Sequence, residues 1–154
     1  MRRQSGFTLI ELAISMTILA LLLAAALPAF ASYLTNAKLR EAANTVMATA
    51  MWSRNEAIKA NARTNLRIAG KSVEVSLVDN GALVLLRRVT LPNSVQTADF
   101  IAGYDSAGRL TPFGTELTLA FTPVGQGCSM DIRCPVIRFD AGGSTSLCTS
   151  GACQ

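Results

Sequence analysis

The chain contains no histidine. No side chain therefore has an ordinary pKa near neutrality, and there is no ready general base at pH 7. Nor is there an imidazole to hold a metal. Aromatic residues make up only 6% and charged residues only 16% of the 154 positions. The formal charge of +4 is too mild to imply a nucleic-acid partner by itself. No G-x-S-x-G elbow, phosphate-binding glycine loop or suggestively spaced carboxylate pair occurs. These absences argue against an enzyme and leave no reason to expect a cofactor.

What the chain does have is concentrated at its start. A short basic leader, Met1 to Ser5 with Arg2 and Arg3, precedes Gly6. A near-continuous apolar run then extends from Phe7 to Ala31. About 20 apolar helical residues span a bilayer core of about 30 Å, so this run is long enough to cross. Arg2 and Arg3 on the short side would hold that end in the cytoplasm, leaving the bulk of the chain across the membrane.

Glu11 sits inside the apolar run. A carboxylate at such a place costs at least a few kcal/mol and marks function or a partner. A free amine at the start of a neighbouring copy would answer it. Cleavage after Gly6 would create that amine at Phe7 and remove Arg2 and Arg3. Two blander readings compete. One is a secretory signal peptide, with Ala29-Phe30-Ala31 as its A-x-A-like site. The other is a simple one-pass anchor. Glu11 fits neither.

The stretch Gly6-Phe7-Thr8-Leu9-Ile10-Glu11 resembles the class III signal of type IV pilins and pseudopilins. The resemblance implies a prepilin peptidase that cleaves after Gly6 and methylates Phe7. It also implies an assembly role for Glu11, paired with a neighbour's N-terminus. Pro28 falls where many pilins carry a helix-breaking proline. The expected fold class is α+β, the pilin fold: one long N-terminal helix packed on an antiparallel β-sheet head. The implied divisions are a leader at 1–6, a membrane or filament-core helix at 7–31, an amphipathic helix at 32–61 and a periplasmic head at 62–154.

From Ser32 to about Lys59 the apolar residues Leu39, Ala43, Val46, Met47, Ala50, Ala57 and Ile58 recur at helical steps and predict one buried face. Lys38, Glu41, Glu56 and Lys59 fall on the other side. Pro28 is expected to kink or loosen the helix without ending it. The segment from Trp52 to Asn61 is similar to the helix-end signature of the GspH/FimT branch, often Ala-Arg-Ser-Glu-Ala-Ile-Lys-Arg. Ser53, Asn55 and Ala60 depart from it. Arg54 and Lys59 also suit a solvated helix end near the negative pole of the dipole.

Beyond Asn61 the period changes. Thr64 to Ile68 reads as a strand, and Val73, Val75 and Leu77 alternate with polar residues. Asn80-Gly81 predicts a tight turn into a partner strand from Ala82 to Val89. Asp105 to Arg109 reads as a turn between Phe100-Ile101 and a short strand at Leu110. Its Gly108-Arg109 step also recurs in the GspH/FimT branch. Leu117 to Thr122 and Val136 to Phe139 read as strands. Gly142 to Ser146 reads as a flexible loop, and the last fourteen residues as a loop ordered only if bridged.

All four cysteines, Cys128, Cys134, Cys148 and Cys153, lie in the last quarter. An even count outside the cytoplasm points to disulfides. Their C-x5-C and C-x4-C spacings without histidine do not suit zinc, so no metal is expected. Three connectivities are possible, and the local pairs are favoured.

The function implied is that of a minor pilin or pseudopilin. Such a subunit is structural, in a type IV pilus or a type II secretion pseudopilus. Its partners would be the prepilin peptidase, other major and minor pilins or pseudopilins, and an inner-membrane assembly platform. It would first sit in the bacterial inner membrane with its head in the periplasm. The alternative is a DNA-binding minor pilin acting in DNA uptake, as some FimT-type proteins do. Arg87, Arg88, Arg109, Arg133 and Arg138 would then be the phosphate contacts. The Gly-Arg-x-Arg pattern of that family's DNA-binding tail is missing from this C-terminus. A third reading is an anchored periplasmic binding module that never polymerises.

Overall fold

The protein is described by a computed structural model covering residues 8–149 and 152–153, the last two by their backbone alone. It forms two compact units, divided between Leu34 and Thr35.

The first unit is helical. Helix α1 (Leu9–Ala60) runs through Pro28 without a break in assignment. Alanine and leucine dominate here, and both favour helix. The large apolar side chains from Leu9 to Leu34 are exposed, so this segment has no protein core of its own. Three of its hydroxyls are satisfied within the helix. Ser15 Oγ donates to Glu11 O at 2.7 Å, Thr17 Oγ1 to Ala13 O at 2.8 Å, and Ser32 Oγ to Pro28 O at 3.1 Å. Such back-bonding hides polar groups that an apolar solvent could not pair. By length and composition α1 can cross a membrane.

Among the described residues the second unit contains the rest of α1 and ten strands. They are β1 (Thr64–Ala69), β2 (Ser72–Asp79), β3 (Ala82–Thr90), β4 (Val95–Thr97) and β5 (Phe100–Tyr104). There follow β6 (Leu110–Thr111), β7 (Leu117–Pro123), β8 (Pro135–Phe139), β9 (Thr145–Thr149) and β10 (Ala152–Cys153). One sheet has the order β3-β2-β1-β5-β6, the other β10-β9-β8-β7-β4. Every described pairing is antiparallel.

The core joins three surfaces. Leu39, Ala42, Ala43, Val46, Ala50 and Ala57 come from α1; Leu66, Ile68, Val73 and Val75 from the first sheet; Leu119, Phe121, Ile137 and Phe139 from the second. The run of alanines lets backbone and sheet approach closely. Phe100 and Phe139 stack at 4.9 Å and link the two sheets. The hairpin expected at Asn80-Gly81 is present, with φ of 48° and 83° at its two residues, as a tight turn of this hand requires.

Three readings are corrected. Ile58, expected on the buried face of α1, is 48% exposed; it lies beside Gly108 at the margin of the core. The tail is not a loop. Residues 145–149 pair along the whole of β8, and 152–153 pair back on β9. Only Leu147 and Cys148 are apolar in β9, so the period of two was too faint to read. Gly142-Gly143 is likewise part of the ordered β8–β9 turn, with Gly143 at φ 83°. Its Gly143 N–H donates to Asp140 O at 2.8 Å.

Candidate functional site

The candidate site lies at the start of α1. Gly6 and Phe7 lie outside the described residues. Thr8 immediately precedes α1, and Glu11 sits in its first turn. The Glu11 N–H donates to Thr8 Oγ1 at 3.3 Å, and the Thr8 N–H donates to Glu11 Oε2 at 3.4 Å. The Thr8 hydroxyl also donates to Glu11 Oε2 at 3.3 Å. This is a reciprocal capping box, in which two orphan donors of the helix start are satisfied at once. The Glu11 carboxylate lies at the positive end of the helix dipole. The pattern Thr8-Leu9-Ile10-Glu11 was open to reading as a capping box in the sequence, and Thr8 was the residue missed.

A second constellation lies in the head. Cys128 and Cys134 are bonded, closing a seven-residue loop. Asn36 on α1 holds this loop from both sides. Its Nδ2 donates to Asp131 O at 2.7 Å, and its Oδ1 accepts the Arg133 N–H at 2.9 Å. Neither bond was legible in the sequence, since the partners lie nearly a hundred positions apart. Cys148 is also disulfide-bonded, and the β9–β10 register sets it opposite Cys153.

The five arginines considered for DNA do not form a set of free cations. Arg88 pairs with Glu74 at 2.9 Å, and Arg109 with Asp105 at 2.8 Å. Arg138 pairs with Glu116 and with Asp140. Arg87 lies over the Trp52 ring at 5.4 Å. Arg133 is in the disulfide loop. They belong to β3, the β5–β6 turn, the loop and β8, not to one element. Among the described residues no group of three or more histidine, cysteine or carboxylate side chains converges as a metal site would.

Two groups in the head have shifted acidities. Backbone and side-chain hydrogen bonds from Arg109, with its charge, hold the Asp105 carboxyl below its ordinary value. Burial pushes the Tyr104 hydroxyl up to about 12, against a smaller opposing effect of Arg54.

A family model described as the prokaryotic N-terminal methylation motif matches residues 1–27. A comparison with curated proteins finds no match in sequence. Two crystal structures of the type IV minor pilin FimU from Pseudomonas aeruginosa superpose on the chain. They have TM-scores of 0.60 and 0.59 at 19% and 18% identity, over 75% of this chain and 92% and 96% of theirs. The chain has the pilin fold. A methylation motif at the start of an apolar helix is followed by a head with antiparallel sheets. The motif covers Gly6, Phe7, Glu11 and nearly all the apolar run, and FimU resembles most of the chain in fold.

Proposed function

We propose that the protein is a minor pilin or pseudopilin, a structural subunit of a type IV pilus or a type II secretion filament. The observation that carries this is the location of Glu11. It is the single carboxylate in the apolar run from Phe7 to Ala31, which also bears the methylation motif, and the helix leads on into a head with the pilin fold. The precursor waits in the inner membrane with its head in the periplasm. A prepilin peptidase cuts after Gly6 and methylates Phe7. The new amine of one subunit then takes the Glu11 carboxylate of another as subunits leave the bilayer.

The capping box adds a detail to this sequence of events. Before assembly Glu11 is held by Thr8 of its own chain. Exchange of those weak, long bonds for a charged amine costs little and gains an ion pair in an apolar medium. Packing of about twenty apolar side chains among neighbouring helices keeps this segment out of water once it has left the bilayer, a protection of roughly 25 cal/mol per Å². The ion pair therefore sets register more than affinity.

The N-terminus of membrane-purified protein tests the proposal directly. A mature chain that starts at methylated Phe7 is expected. A chain starting at Met1 or Ser32 would overturn it.

A further inference from the structure

Strand β3 is anomalous. It forms one edge of its sheet, is nine residues long and is exposed at eight of them. Leu83, Val84, Leu85 and Leu86 are 64%, 46%, 47% and 38% exposed. Because side chains alternate across a strand, apolar groups project from both of its faces. Among the described residues no strand pairs with its outer edge. A long apolar edge carrying unpaired backbone groups is a template for another strand, and proteins normally guard such edges with charge, proline or a bulge.

Here the guards are placed at one end only. The register with β2 shifts between Val75 and Ser76, leaving Leu86 as the extra residue of a bulge. Arg87 and Arg88 follow it. The stretch Ala82 to Leu85 before the bulge is regular and carries no charge. Arg88 is neutralised by Glu74. Arg87 stacks on Trp52, is exposed and has no carboxylate partner among the described residues. The edge thus offers backbone pairing, an apolar surface on both sides and one uncompensated cation at a defined end.

We propose that β3 is a docking edge for a short extended segment of another subunit, apolar along its length, with a carboxylate that meets Arg87. Strand addition supplies main-chain hydrogen bonds, and the side chains supply selection. The bulge limits pairing to four or five residues, so the contact is weak and reversible, as suits subunits that add in order. Arg87 selects against cationic strands. The proposal builds on the reading of the chain as an assembling subunit, but its test needs neither processing at Gly6 nor a filament, so the two fail separately.

The probes are two short synthetic peptides of alternating valine and threonine, one with an aspartate at its first position and one at its last. Each has a twin with lysine in place of the aspartate. The full chain in detergent micelles is titrated with each, and amide hydrogen exchange of residues 82–86 is followed. One aspartate peptide is expected to slow exchange there at least tenfold at saturation, with its lysine twin binding about tenfold more weakly. Arg87→Glu, an exposed substitution, should invert that preference. Leu85→Lys should abolish protection while leaving exchange in β1 unchanged. Absence of protection, equal protection by aspartate and lysine peptides, or an unaltered preference in Arg87→Glu would overturn the proposal.

Discussion

Arg54 on α1 donates its Nε–H to the carbonyl of Gly108 at 2.8 Å. The bond ties the end of the helix to the β5–β6 turn, fifty-four positions away. The bond joins the helix end at Trp52 to Asn61 with the Gly108-Arg109 step, two segments far apart in sequence. Arg54 is half-buried, and a charged donor to a carbonyl contributes about 1.5–3 kcal/mol. Arg54→Ala should therefore lower stability by about 2 kcal/mol, read by urea unfolding. Arg54→Lys, which lacks the planar fork, should recover only part of that. A loss below 0.5 kcal/mol for Arg54→Ala would remove the tie from the account.

This contact marks the border of what the sequence discloses. The helix, the hairpin at Asn80-Gly81 and the alternation of Val73 and Val75 are local patterns, and each is written into a few neighbouring residues. Arg54 with Gly108, Asn36 with Arg133 and the pairing of β9 on β8 are long-range. Their residues are a solvated cation, a polar amide and a run of serine and threonine when read alone. At the N-terminus Glu11 stands out because its apolar surroundings make any charge conspicuous, whereas the Thr8 hydroxyl gains its meaning only from the capping geometry.

The glycine at 143 makes a second prediction. Its φ of 83° is the left-handed region that side chains avoid, and an added Cβ would lie 2.1 Å from the Gly108 carbonyl oxygen. That oxygen is the acceptor of the Arg54 bond, so the turn at 143 presses on the same lock. Gly143→Ala combines about 1–2 kcal/mol of backbone strain with a clash that backbone must absorb. It should be more damaging than Gly142→Ala, where the Cβ meets nothing within 4 Å. Parallel thermal melts of the two variants check this.

The loop closed by Cys128 and Cys134 should be held jointly by its bond and by Asn36. A closure this short contributes about 2 kcal/mol in the chain-entropy model. Replacing both cysteines by serine should cost about that amount. Asn36→Ala breaks two hydrogen bonds to the loop backbone and should cost about 1–2 kcal/mol. The two changes act on one loop, so the combined variant should depart from additivity. A double-mutant cycle by urea unfolding measures the coupling, and strict additivity would show that Asn36 and the disulfide act independently.

Glu11→Ala and Thr8→Val separate anchoring from assembly. Removing the carboxylate makes the helix more apolar, so membrane insertion and cutting after Gly6 should persist. Filament function should be lost, because nothing remains to receive the neighbour's amine. Thr8→Val keeps the carboxylate and removes only the hydroxyl that holds it before assembly, so filament levels should stay close to those of the parent. Immunoblots of sheared filament fractions, with mass measurement of the processed chain, read both. Wild-type filament levels in Glu11→Ala would reduce the helix to an anchor.

Tyr104 makes a prediction about alkaline pH. Its ring is fully buried, and its hydroxyl has no hydrogen-bond partner among the described residues. Burial raises its pKa from 10.0 to about 12. A raised folded-state pKa means that the neutral form is favoured on folding. The associated stability is complete below about pH 10, the ordinary tyrosine value, and is lost as pH climbs from there to about 12. Tyr104→Phe removes an unpaired buried hydroxyl, which is neutral or favourable, and removes the titration as well. At pH 8 the variant should be as stable as the parent or more so. Between pH 10 and 12 its melting temperature should fall less steeply, and a fall matching the parent's would place the alkaline sensitivity elsewhere.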